Sequence, residues 1–151
     1  MDKPYRPCVV AVIQNQAGWL LVGERADHAG AWQLPQGGID EGETAQEALF
    51  RELKEEIGTD QLELVRTSAV KIRYDFPAEV QRERMKAFRG QEQDWFLLRF
   101  KPGCGPELDK ADGEFSAVQW MQARDLITGI ITWKQDAYRE GLKALDCWTG
   151  V

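Results

Sequence analysis

The sequence predicts an α/β fold with a mixed sheet held between helices, and three observations carry that prediction. Residues 8–13, Cys8-Val9-Val10-Ala11-Val12-Ile13, form an almost wholly apolar, β-rich run, as a strand buried on both faces requires. Residues 45–57 carry a helical pattern with start and stop signals at its ends. Strand-like runs stand on both sides of that helix, and a second helical pattern lies near the C-terminus. At 151 residues, with 43% hydrophobic residues and six tryptophans, the chain can bury a substantial core. No repeat or linker divides it, so a single domain over 1–151 is expected.

Asn15-Gln16-Ala17-Gly18 is turn chemistry and residues 19–22 return as a second strand, which predicts a hairpin with 8–13. Residues 23–30 form a polar loop, and Trp32-Gln33-Leu34-Pro35-Gln36 leads into Gly37-Gly38. Two adjacent glycines give a turn where backbone can approach a ligand closely. Thr44 and Glu47 make a capping box, so the helix begins at Ala45, and Gly58 is its left-handed stop. Leu49, Leu53 and Ile57 form the core-facing stripe with Phe50 on its flank. Ala45 and Ala48 are assigned on or beside the face that carries Glu52, Glu55 and Glu56, where small residues leave room for something bulky.

Strands follow at 62–65 and at 68–74, where Val70, Ile72 and Tyr74 alternate with Lys71 and Arg73; Pro77 ends the second. The charged stretch 79–92 is expected to be a flexible or partly helical excursion. A buried strand at 95–100 stops at Pro102-Gly103, and 104–113 is an acidic, Gly/Pro-containing loop. A strand at 115–120, a short helix at 123–126 and a longer one at 133–145 complete the prediction.

A net charge of −6 leaves no basic field for long nucleic acid, so no DNA duplex is expected, and any nucleic-acid contact is a short end held locally. Cys8, Cys104 and Cys147 are odd in number and widely spaced, which predicts reduced thiols in a cytoplasmic protein. No signal peptide and no apolar run of about 18 residues is present, so no membrane partner is expected. His28, alone in a polar loop without another ligand-type residue at metal spacing, is assigned no role.

Glu52, Glu55 and Glu56 stand at i, i+3 and i+4, which puts three carboxylates on one helical face. Such like charges raise one another's pKa unless a cation sits among them. Carboxylates without imidazole or thiolate favour hard cations, so Mg²⁺, with Mn²⁺ as the alternative, is expected over zinc. Ions of that kind bridge to substrate phosphates, which suits hydrolysis of a phosphoanhydride.

Gly37, Glu43 and Arg51-Glu52-Leu53-Lys54-Glu55-Glu56-Ile57-Gly58 resemble the Nudix box at every fixed position, with one departure at Thr59, where the family has a bulky aliphatic residue. The resemblance implies a Nudix-type α/β/α sandwich whose catalytic part is a loop-helix-loop. It implies Glu52, Glu55 and Glu56 as metal ligands, completed by the Gln36 carbonyl. Glu43 and Arg51 would support them, the arginine bracing the loop against the helix; a plain surface pairing of Arg51 with Glu47 is the alternative. For the general base, Glu56 is one candidate and Glu114, from Gly113-Glu114-Phe115, is another.

Four further stretches, Tyr5-Arg6-Pro7, 32–38, Tyr74-Asp75-Phe76-Pro77 and 90–96, resemble bacterial RNA pyrophosphohydrolases and the related dinucleoside tetraphosphate hydrolases. Asp94 departs from the lysine common there. The resemblance implies removal of pyrophosphate from the 5′-triphosphate end of RNA, with free nucleoside polyphosphates as the alternative substrate and a catalytically idle binding module as a third reading. Arg6 would hold phosphate, and a base would stack between Arg25 and Trp133 beside Lys134, with Tyr74 and Gln93 also at the substrate. Trp133 could instead anchor the last helix on the core. The sequence leaves open a monomer or a homodimer.

Overall fold

The computed structural model describes residues 3–79 and 86–148. In chain order the elements are β1 (Tyr5–Ile13), β2 (Leu20–Arg25), β3 (Trp32–Gln33), β4 (Gln36–Gly38) and α1 (Ala45–Ile57). They continue with β5 (Leu62–Thr67), β6 (Ile72–Asp75), β7 (Gly90–Phe100), β8 (Phe115–Met121), α2 (Ala123–Gly129) and α3 (Gln135–Ala144). One sheet runs β4-β1-β7-β5, with β6 pairing the first part of β7; a second sheet runs β3-β2-β8. Only β1 and β7 are parallel, so the larger sheet is mixed, as expected.

β1 shows why residues 8–13 carry no alternation. Val9, Ala11 and Ile13 enter the cluster beneath α1, with Leu49, Leu53 and Ile57. Val10 and Val12 enter the opposite cluster, with Trp95 and the α3 residues Tyr138 and Leu142. Each face therefore removes its own apolar surface from water, worth about 1.5–3 kcal/mol per fully buried aliphatic side chain. On the α3 side, Trp95 meets Tyr138 edge to face at 5.5 Å. Gly141 lets the helix lie against the indole, since a Cβ there would fall 2.2 Å from the ring.

The α1 boundaries fall where the local signals put them. Thr44 accepts from the Glu47 N–H and Glu47 accepts from the Thr44 N–H, while Gly58 closes the helix at φ 79°. Thr59 is buried, and its hydroxyl accepts from the Gln61 N–H at 3.1 Å, a polar fit to the helix exit. Ala48 is corrected: it is fully buried in the core stripe with Leu49, so it leaves no room on the acidic face.

Four strand expectations change. β1 and β2 meet only at a single bridge, Gln14 to Leu20, and belong to different sheets, so the predicted hairpin ladder is absent. β2 runs on through Gly23 to Arg25 because Gly23 admits the Phe115 ring, which a Cβ would strike at 2.3 Å. In 68–74 only 72–74 is strand, extended to Asp75. Ser68 instead pairs with Trp95 through both its N–H and its hydroxyl, which replaces a ladder step. Within 79–92, residues 80–85 lie outside the described residues, and 90–92 open β7 as strand. Those polar residues are strand because β1 and β6 satisfy their backbone from both sides.

Candidate active site

The site begins at the glycine turn, where β4 faces α1. A Cβ on Gly37 would lie 2.0 Å from the Glu52 carboxyl carbon, so only glycine lets that acid lie against the turn. Arg51 ties loop to helix. Its Nε and Nη2 donate to Glu43 at 2.7 and 2.8 Å, Nη2 also donates to the Gly38 carbonyl at 2.9 Å, and Nη1 donates to Glu52 at 2.9 Å. Glu47 is occupied by the cap, so the bracing role is the observed one and the surface pairing with Glu47 is not. Glu43 also accepts from the Asp40 N–H at 2.8 Å. The Arg51 guanidinium, helped by that amide, holds the Glu43 carboxyl down at about 2.

The three helix acids have different surroundings. Glu56 is fully buried, Glu52 is mostly covered and Glu55 is half exposed. Burial pushes Glu52 up to about 7, against the pull of Arg51 and with the push of Glu55 and Glu114. Burial drives Glu56 still further above its ordinary value, reinforced by the Glu114 and Glu52 carboxylates. One Glu56 oxygen accepts from the Gln36 N–H at 3.0 Å; the other, Oε1, is buried without a hydrogen-bond partner. Glu114 reaches this cluster because its loop is docked on the end of α1. The Glu107 N–H donates to the Ile57 carbonyl, the Asp112 N–H to the Glu55 carbonyl, and Asp112 accepts from the Glu114 N–H.

An orphaned buried carboxylate oxygen, two further acids beside it and a glycine cradle fit a hard divalent cation. Among the described residues no three such ligands are drawn into a closed cage. Glu52 and Glu55 instead share Arg51 Nη1.

Away from the acids, strand register aligns a row of side chains. Arg6 of β1 is opposite Gln91 of β7, and Gln91 is opposite Tyr74 of β6, so the three share one sheet face at successive strand spacings of about 4.8 Å. It is the α3 face, since Tyr74 packs on the α3-side core. Arg6 lies over Gly38, where a Cβ would meet its guanidinium at 2.4 Å. Among the described arginines it is one of two, with Arg124, that have no carboxylate within salt-bridge distance.

Trp133 stands 5.6 Å from Tyr74 and 6.3 Å from Phe76, with the Lys134 ammonium 5.2 Å from its own ring centre. The helix is anchored by Ala137, Tyr138 and Leu142, while Trp133, half-buried just before it, sits on Tyr74 and Phe76 at the edge of that core. Arg25 is held in a two-bond fork by Asp27, at 2.9 and 2.7 Å, and makes no ring contact with Trp133. Gln93 is almost fully buried, donating to Gln91 and accepting from the Trp95 indole N–H, both at 2.9 Å.

Asp94 is neutralised by Lys71 at 3.0 Å to both oxygens, on the face opposite Gln91 and Gln93. His28 lies exposed in its loop. Sequence reasoning missed Phe76 and Gln91; both stand inside stretches singled out for their resemblance, and the period-2 register of β6 and β7 could have placed them.

The comparisons agree with this geometry. The model of the NUDIX domain matches residues 4–143. RNA pyrophosphohydrolase of Helicobacter pylori (strain P12) is 43% identical over 144 residues, covering 93% of this chain and 92% of that protein. RNA pyrophosphohydrolase of Wolbachia pipientis subsp. Culex pipiens is 38% identical over 145 residues, covering 92% and 88%. The solved E. coli dihydroneopterin triphosphate pyrophosphohydrolase superposes with a TM-score of 0.69 at 24% identity, over 91% of this chain and 97% of that one. A C. elegans Ap4A hydrolase complex superposes at 0.65 with 19% identity, over 95% and 99%; these two likenesses speak to the fold. With the glycine turn, braced helix and late-loop acid in place, the chain belongs to the NUDIX domain family and is a phosphoanhydride hydrolase of that kind.

Proposed function

We propose that this chain removes pyrophosphate from the 5′-triphosphate end of RNA, leaving a 5′-monophosphate, with Mg²⁺ or Mn²⁺ as cofactor. The observation that carries the reading is the row of Arg6, Gln91, Tyr74 and Trp133 along the α3 face, which begins at the glycine turn where Gly38 meets Arg6 and the adjoining Gly37 meets the Glu52 acid on the other side. It offers a phosphate-binding end and an aromatic end a few strand spacings apart, the layout a 5′-triphosphate RNA needs when the stacked base is that of its second nucleotide, which free GTP lacks. The curated relatives carrying the RNA pyrophosphohydrolase name match over nearly the whole chain, which supports the same substrate.

Glu52, Glu55 and Glu56 would hold the cation, with the Gln36 carbonyl and Glu114 completing the oxygen set. A bound divalent ion supplies charge neutralisation at the phosphoryl group and lowers the pKa of water. Arg51 and Glu43 keep the turn and helix in register, so the acids meet the phosphate from a fixed direction. Water attacks phosphorus, the phosphoanhydride P–O bond breaks, and pyrophosphate leaves. Glu56 or Glu114 takes the water proton. Arg6 binds non-bridging oxygens. Trp133, fixed by Tyr74 and Phe76, offers its ring to the base, with Lys134 beside it and Arg25 set by Asp27.

Free nucleoside polyphosphates are the second reading, favoured by the charge: most described guanidiniums are already paired with acids, and the net charge is −6. The two separate on Trp133→Ala. The RNA reading predicts that kcat/KM for a 5′-triphosphate RNA falls by at least about tenfold more than for free GTP, given stacking of about 1–3 kcal/mol per base. Equal loss on both substrates contradicts it.

A further inference from the structure

Three buried groups form a one-way chain of hydrogen bonds. The Trp95 indole N–H donates to Gln93 Oε1 at 2.9 Å, and Gln93 Nε2 donates to Gln91 Oε1 at 2.9 Å. An indole nitrogen can only donate, so it fixes which end of the Gln93 amide faces it, and Gln93 in turn fixes Gln91. The amide orientations follow from the chain rather than from the local surroundings of either glutamine. Trp95 is fully buried, and its ring is held by Tyr138 and by the absence of a side chain at Gly141, so the first link has no freedom.

The last link is left open. Gln91 is 4% exposed, yet its Nε2 donates to no group among the described residues and is not one of their sealed, unpartnered atoms. An amide donor in such a place, its oxygen already committed, faces the sheet surface between Arg6 on one side and Tyr74 on the other. Arg6 brings positive charge there; no described carboxylate pairs with it.

Resting on the functional reading above, we infer that Gln91 Nε2 grips a non-bridging phosphate oxygen of the substrate between Arg6 and the Tyr74–Trp133 pair, and that Trp95 aims it through Gln93. Gln91 is thus the substrate-touching, specificity-determining group of the pair, and Gln93, which sequence resemblance placed at the substrate, is a positioning residue. A donor at this point selects for an acceptor oxygen and against a group that presents only N–H.

The test uses the full chain labelled with ¹⁵N, titrated with α,β-methylene GTP in the presence of Mg²⁺ and followed at the side-chain amides. The Gln91 Nε2 protons are expected to move as the nucleotide binds, with a smaller movement at Gln93. Movement at Gln93 alone, or at neither, overturns the inference. In kinetics, Gln91→Glu is expected to raise KM about 10- to 100-fold, the range for losing a hydrogen bond to a charged acceptor, with kcat moved much less. Trp95→Phe removes the aiming donor and is expected to raise KM several-fold and to give the Gln91 amide two sets of resonances. A folded Trp95→Phe variant with one unchanged Gln91 signal contradicts the aiming role. If the unmodified chain leaves 5′-triphosphate RNA intact, the RNA reading fails while the Gln91 response to the nucleotide still decides this one.

Discussion

Glu56 is a carboxylate in a place that opposes its charge: fully buried, one oxygen orphaned, two other acids nearby. Residues of that kind persist where a ligand completes them. Gly37 serves the same end by leaving space for Glu52. Gly37→Ala puts a Cβ 2.0 Å from the Glu52 carboxyl carbon, and the acid, being the end of a side chain, moves rather than the backbone. The expected outcome is a Tm within about 4 °C of the parent and activity lower by about 100-fold, the cost of misplacing a reacting group by an ångström. Activity retained with an unchanged Tm contradicts the cradle.

Glu43 gives a pH test with a definite sign. Its folded pKa is depressed to about 2, so its contribution is present above the ordinary carboxylate value of 4.5 and is lost as pH falls from there toward 2. Urea midpoints for the parent are therefore expected to fall across that window more steeply than those of Glu43→Gln. Parallel profiles contradict the Arg51 clasp.

At the scale of elements, α1 holds two loops. Arg51 grips the glycine turn, and the last carbonyls of the helix receive the 104–114 loop that brings Glu114. Gly58 is the hinge of the second contact: a Cβ there would fall 1.8 Å from the Glu107 carbonyl oxygen, at φ 79°. Gly58→Ala is expected to cost roughly 1–3 kcal/mol from strained backbone and displaced loop. Gly103, at the same φ but facing open space, is the control, and Gly103→Ala is expected to cost less. Equal denaturation midpoints for the two variants contradict the docking.

The helix was legible in the sequence because its signals are local: a reciprocal cap, an apolar stripe and a glycine stop within a few residues of one another. Residues 90–93 were not legible, because their polarity suggests solvent until Trp95 takes the glutamines and Arg73 takes Glu92. The sheet membership of residues 19–25 was hidden for a different reason. Strand pairing is a long-range choice, and β2 finds β8 about a hundred residues away, from Leu20 to Met121, rather than its sequence neighbour β1. Ala48 was assigned to the wrong face because a small residue carries little periodic signal of its own.

For the whole molecule, the register of β1, β7 and β6 converts three separate sequence stretches into one continuous surface. The acids stand at one end and the aromatic rings at the other, on different elements, so the proposed chemistry and the proposed recognition are expected to separate by mutation. No described helix is long and apolar enough to cross a membrane. Cross-strand ion pairs, Arg73 with Glu92 and Lys71 with Asp94, occupy the opposite face of the strands that carry the glutamines. The basic groups there are thereby matched by acids, whereas Arg6, over Gly38 beside the glycine turn, has no carboxylate partner among the described residues.

The most direct test of the central claim pairs two readouts on one variant: Mn²⁺ binding followed by electron paramagnetic resonance, and Mg²⁺-dependent pyrophosphate release from 5′-triphosphate RNA. For Glu56→Gln the expected result is a weakened affinity for the ion together with a fall in release of about 10²- to 10⁴-fold, in a chain that remains folded. Undiminished ion binding and release from that variant would contradict the assignment of the buried acids to cation-assisted hydrolysis.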